Sequence, residues 1–242
     1  MNSYNSPFGM FSSLPPTGKV TKNITISIFV FSLLGSYLQR KTGFGSNELI
    51  FNIQQVLGGE VWRLFTYPLV LRGVYGLLLG TLVFWIFGRI FESSWGERDF
   101  LRFVVLSWYG AALIAIPLSF VISMLLPFHD YGVAEGPGAA IDALLVSMAL
   151  KTPNSNILFG FVIPLKVRTV VYFLIFFEII TGIQTGASGL SVTLGGLAMG
   201  YILTTGIWRP QILLMHFKKV RNKYKKSKIR VVPPKGDKYW YN

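Results

Sequence analysis

Long stretches in which almost every position is apolar alternate along this chain with short polar segments. Six such stretches stand out: Ile24–Leu38, about Leu71–Phe91, Val104–Phe128, Gly136–Leu150, about Val167–Thr181 and about Leu190–Trp208. A helix that crosses a bilayer needs roughly 20 predominantly apolar residues. The first stretch reaches that length by extending into its flanks. The third is long, and Pro117 is placed to kink it. The fourth is too short to span without help from its surroundings. The pattern predicts an all-α polytopic membrane protein with six transmembrane helices. Between the first two stretches, Gln39–Pro68 carries apolar pieces too short to cross (Leu49–Phe51, Val56–Leu57, Val61–Phe65), as amphipathic helices lying in the interface would.

Composition supports a membrane solvent. Hydrophobic residues make up 52% and charged residues 14%, against about 25% charged in a soluble domain. With both termini cytoplasmic, the inner side holds Lys19, Lys22, Arg89, Arg98, Arg102, Lys151, Lys166, Arg168 and the basic tail from Arg209 onward. The other side holds only Arg40, Lys41, Arg63 and Arg72. That is the positive-inside bias, and it survives removal of the tail. The chain divides into a polar arm (1–20), a helical membrane domain (21–209) and a basic cytoplasmic tail (210–242). The arm lacks the layout of a cleavable signal. Net charge is +13, but it is concentrated in the tail beside apolar spans, which points to anionic lipid headgroups and away from nucleic acid. There is no cysteine, so thiol catalysis and thiolate metal sites are excluded. His129 and His216 lie outside the apolar stretches.

Small residues are concentrated at particular places. Gly136, Gly138, Ala139, Ala140 and Ala143 make a thin head for the fourth stretch. Gly196-x-x-x-Gly200 and Gly76-x-x-x-Gly80 offer thin faces on the sixth and second. Such faces let membrane helices approach closely, and can also admit a foreign helix. Asp142 follows Gly138 by four residues on the same face. An acid within a span marks a cavity or a buried partner. Two readings stay open: a bond inside the protein, to Thr193 or to water, or a polar contact with a bound helix. Glu178, among Phe176, Phe177, Ile179 and Ile180, reads as structurally bonded or snorkelling. A proton-coupled carrier would need a continuous polar path or an inverted repeat, and the sequence shows neither.

Several segments together resemble the rhomboid family of intramembrane proteins. They are Gly59–Val70 with Trp62-Arg63, Trp85–Phe103 with Glu92-x-x-Trp95-Gly96, Gly136–Leu145, Phe159–Tyr172 and Thr193–Leu203. The resemblance implies a rhomboid-like six-helix fold. It places Gly138 and Thr193 where active members carry a Ser–His dyad, and Gly76 and Gly80 at the oxyanion-side positions. With no histidine in any span there is no base for a serine. The implied protein is a pseudoprotease without cofactor or metal that binds transmembrane helices of other membrane proteins through Asp142, Gly138, Thr193, Gly196 and Gly200, with Trp62 and Arg63 framing the first loop. Alternatives are a structural or assembly subunit, a serine endopeptidase by family membership, and a transporter. The implied location is a bacterial inner membrane.

Overall fold

The first helix, α1 (Lys19–Thr42), buries Thr21, Ile28, Ser32 and Gly35. Spacings of seven, four and three put these residues on one face, and that face packs on α5 (Val74–Trp95). The computed structural model describes residues 15–125, 132–154, 156–159 and 163–207. Gly43, with φ +74°, ends α1 by donating its N–H to Gln39 O. Three short helices follow: α2 (Ser46–Leu49), α3 (Ile53–Leu57) and α4 (Arg63–Thr66), then a 3₁₀ turn, Tyr67–Leu69. Asn52 caps α3 by accepting from the amides of Gln54 and Gln55. The first loop is thus built of short helices, in line with its broken apolar pattern.

After α5 come α6 (Glu97–Leu125), α7 (Gly138–Lys151), a hairpin of β1 (Asn156–Phe159) and β2 (Ile163–Lys166), α8 (Val167–Gln184) and α9 (Gly186–Thr205). The strands pair antiparallel, Asn156 opposite Lys166 and Phe159 opposite Ile163, an element that the apolar pattern did not foretell. Helix α6 starts at Glu97, earlier than the apolar run at Val104, because Glu97 and Asp99 suit the positive end of a helix. It continues as α-helix through Pro117.

Five helices, α1, α5, α6, α8 and α9, are long and apolar enough to cross a membrane. The expected six full-length spans are therefore corrected to five such helices among the described residues, and a rhomboid fold does not follow from them. The helix that falls short is α7. Its 14 residues rise about 21 Å, against a hydrocarbon core of about 30 Å. The physical reason is its position. Ala139, Ala140, Ile141, Asp142, Ala143, Leu144, Leu145 and Ser147 are all buried, so α7 is sheathed largely by protein and need not match the thickness of lipid.

Contacts between helix ends define two faces of the bundle. At one, Glu92 near the end of α5 accepts from the amides of Val20 (2.9 Å) and Thr21 (2.7 Å) at the start of α1. At the same level the Lys151 ammonium lies 4.1 Å from the Trp95 ring centroid. At the opposite face, Gly136 N donates to Tyr67 O (2.8 Å), Phe51 and Ala134 exchange backbone bonds, and Val133 N donates to Thr185 O (3.2 Å). Helix α7 therefore begins at one face and ends at the other. The first of these, with Lys19, Lys22, Lys151 and Lys166, is the basic face. Of the segments and residues read from sequence, the first 14 residues of the N-terminal arm, His129, His216 and the basic tail lie outside the described residues.

Candidate functional site

The opposite face is braced by the first loop. Arg63 is 2% exposed, and its guanidinium donates to Asn47 O (2.6 Å), Ile50 O (2.9 Å) and the Glu60 carboxylate (2.6 Å). Trp62 Nε1 donates to Glu48 O at 3.1 Å. Tyr67 is fully buried, and its hydroxyl donates to Trp108 O at 2.8 Å. Burial, with Tyr109 and Asp142 nearby, pushes its phenol well above the usual range, so this tyrosine is a neutral strut. Gly136, with φ +73°, turns the chain into α7, and a side chain there would meet Leu71.

Under this brace lies a cavity of about 230 Å³ between the head of α7, the outer half of α8 and the start of α9. Its inner wall carries Gly138 and Thr193, and α8 contributes Glu178, Thr181 and Thr185. Spacings of three and four put those three side chains on one stripe, which runs up α8 to the cap residue Thr185 just past its end at Gln184. Arg72 and Glu135 stand at the rim. Glu135 accepts from the backbone N and the Nε of Arg72 at 3.1 and 2.5 Å. The Nη edge of Arg72 keeps only a 3.4 Å contact with Asn47 Oδ1.

Asp142 lies one turn below Gly138, 1% exposed, and its Oδ1 has no hydrogen-bond partner. Glu178 stands on α8, which packs against α7. Among the described residues neither acid takes part in an ion pair. A buried carboxyl without a counter-charge is costly, so Asp142 calls for a proton or a cation, while Glu178 is half-buried. The stripe Glu178, Thr181, Thr185 is the feature that sequence reading missed. Its spacing is present in the sequence, but among Phe176, Phe177, Ile179 and Ile180 a lone Glu178 and two threonines do not break the apolar pattern.

The small residues divide by role. Gly196 and Gly200 pack α9 onto α7: a Cβ on Gly196 would lie 2.8 Å from Ala139 O, and one on Gly200 2.6 Å from Ala143 Cα. Gly138 is different, since nothing lies within 4 Å of where its Cβ would be. Gly76 is likewise open, whereas Gly80 meets Leu71. Of the residues singled out from sequence, Gly138 and Thr193 line the cavity, while Asp142 and Gly196 meet each other just beneath its wall, where α9 packs on α7. Gly200 sits one turn further along α9, Trp62 and Arg63 frame the rim from the loop, and Gly76 and Gly80 do not line the cavity.

No curated protein matches the chain. A family model does match, over residues 22–205, and its family is distinct from the rhomboids. This overturns the rhomboid resemblance, and with it the pseudoprotease, helix-binding and endopeptidase readings that rested on it. The motifs misled because each solves a general problem of membrane packing. Trp62-Arg63 braces a loop, Glu92 caps a helix, and Gly196 and Gly200 let two helices touch, whatever the family. The meaning given to Gly138, Thr193, Gly76 and Gly80 as vacated catalytic positions came from the resemblance alone. A bacterial inner membrane is also corrected, because the matched family is eukaryotic. The chain belongs to the family described as eukaryotic integral membrane protein (DUF1751).

Proposed function

We propose that this protein works by binding a small, positively charged group in the cavity beneath its first loop, within the bundle and open toward the face opposite the basic one. The observation that carries this reading is Glu178 in the cavity wall, with Asp142 buried on the neighbouring α7 and neither acid in an ion pair among the described residues. In low dielectric a cation entering such a site gains far more than it would in water. Thr181, Thr185 and Thr193 supply hydroxyl oxygens along the way, so a desolvated ammonium finds acceptors at each step.

The absence of native cysteine makes the test clean. Single cysteines at Thr181 and Thr185, treated in membranes with thiosulfonate reagents of equal size and opposite charge, should react faster with the cationic one. The preference should shrink when Glu178→Gln is added. Equal rates for the two reagents at both positions would overturn the reading.

A further inference from the structure

The cavity holds charge of both signs, and a ligand can be read from their placement. Arg72 is at the rim, where the first loop enters α5, and presents the Nη edge that Glu135 leaves free. Glu178 lies six residues before the end of α8, about 9 Å deeper along the helix. A guanidinium edge at headgroup level fits phosphate. A carboxylate with threonine hydroxyls beneath it fits an ammonium that still has N–H bonds to donate. Quaternary ammonium groups are held instead by aromatic cages. Among the described residues the one aromatic ring lining the cavity is Tyr67, whose hydroxyl is committed to Trp108 O. On the side toward lipid, Thr181 and Thr185 are exposed on α8, beside Phe177 and Ile180, which are also exposed. Acyl chains can therefore stay in the bilayer while a headgroup turns inward.

Resting on the function proposed above, we infer that the ligand is a phospholipid with a primary-amine headgroup of the ethanolamine class, its phosphate at Arg72 and its ammonium toward Glu178. Gly138 supplies the room for that headgroup: its open side faces the cavity, and its backbone has ordinary helical φ, so a larger side chain would fill the space without strain.

The test uses the full chain purified in mild detergent and delipidated. Melting temperature and bound lipid, by mass spectrometry, are followed on adding phosphatidylethanolamine or phosphatidylcholine with identical acyl chains. Phosphatidylethanolamine should bind about tenfold or more tightly than phosphatidylcholine, the scale of one charge-assisted hydrogen bond. Glu178→Gln should remove the difference. Gly138→Leu should abolish specific binding while leaving the lipid-free melting temperature unchanged. Equal binding of the two lipids overturns the inference. If the cationic thiol reagent keeps its preference in that case, the cation-binding function stands and only the lipid is wrong. A photo-crosslinker at Thr181 that captures a protein helix in place of lipid in membranes would also overturn it. Loss of both the lipid response and the reagent preference would remove the two readings together.

Discussion

Arg63 shows how one residue can hold a surface in place. It is a charged side chain buried in a membrane protein, yet each of its bonds is made to the loop that surrounds it, two to carbonyls and one to Glu60. Removing it leaves the Asn47 and Ile50 carbonyls orphaned, at about 1–3 kcal/mol each. Arg63→Ala should therefore lower the melting temperature. It should also raise proteolysis between Gly43 and Gly59, where the short helices are tied. Arg63→Lys keeps the charge but not the fork, and should fall between the two. A melting curve of Arg63→Ala that overlays the parent would show that the loop has another anchor. Trp62-Arg63 stood out in sequence only through a resemblance that does not hold, although the pair does brace the loop. The main-chain partners of Arg63 were not legible, because no residue pattern marks backbone carbonyls. Asp142 was legible as an anomaly, an acid inside an apolar run, while an internal bond to Thr193, one of its two open readings, is not made: the structure leaves Oδ1 without a partner.

Among the helices, the same residue type serves opposite ends on neighbouring elements. On α9, Gly196 touches the α7 backbone at Ala139, and Gly200 does so at Ala143. On α7, Gly138 faces empty space. A leucine at 196 must push the helices apart, and overpacking of this kind costs about 1–3 kcal/mol. Gly196→Leu should therefore melt earlier, while Gly138→Leu melts with the parent. If both variants melt together, the cavity at Gly138 is not as drawn. Long helices were readable from the apolar runs because a lipid-facing helix must be apolar on most sides, and α5, α8 and α9 appear close to where those runs lie. Boundaries were less legible. The start of α6 is set by Glu97 and Asp99, which suit a helix start but interrupt an apolar count. The polar stripe of α8 was hidden for a related reason. Threonine is mild enough to vanish into an apolar average, and only the three-and-four spacing from Glu178 reveals it.

For the molecule as a whole, the element that decides topology is the one least like a membrane span. By length α7 fails, and counting only the five long helices would put Thr42 and Thr152 on the same side, since just α5 and α6 would lie between them. The packing of α7 gives a different expectation for its two ends. The head of α7 is held at the level of Tyr67 through Gly136 N, while Lys151 at its end rests on Trp95, beside the Glu92 cap of α1. An inner helix wrapped by neighbours can carry the chain across with fewer turns, because the protein around it, and not the helix itself, meets the lipid. Single cysteines at Thr42, Thr152 and Gln184 separate the two cases. All three residues are exposed, and an impermeant maleimide can be applied to sealed vesicles of known orientation. Thr42 and Gln184 should be labelled from one side and Thr152 from the other, with Thr152 on the cytoplasmic side if the Lys/Arg bias sets orientation. Labelling of Thr42 and Thr152 from the same side would mean that α7 turns back within the membrane. The cavity at its head would then not open on the face to which Arg72 and Glu135 assign it.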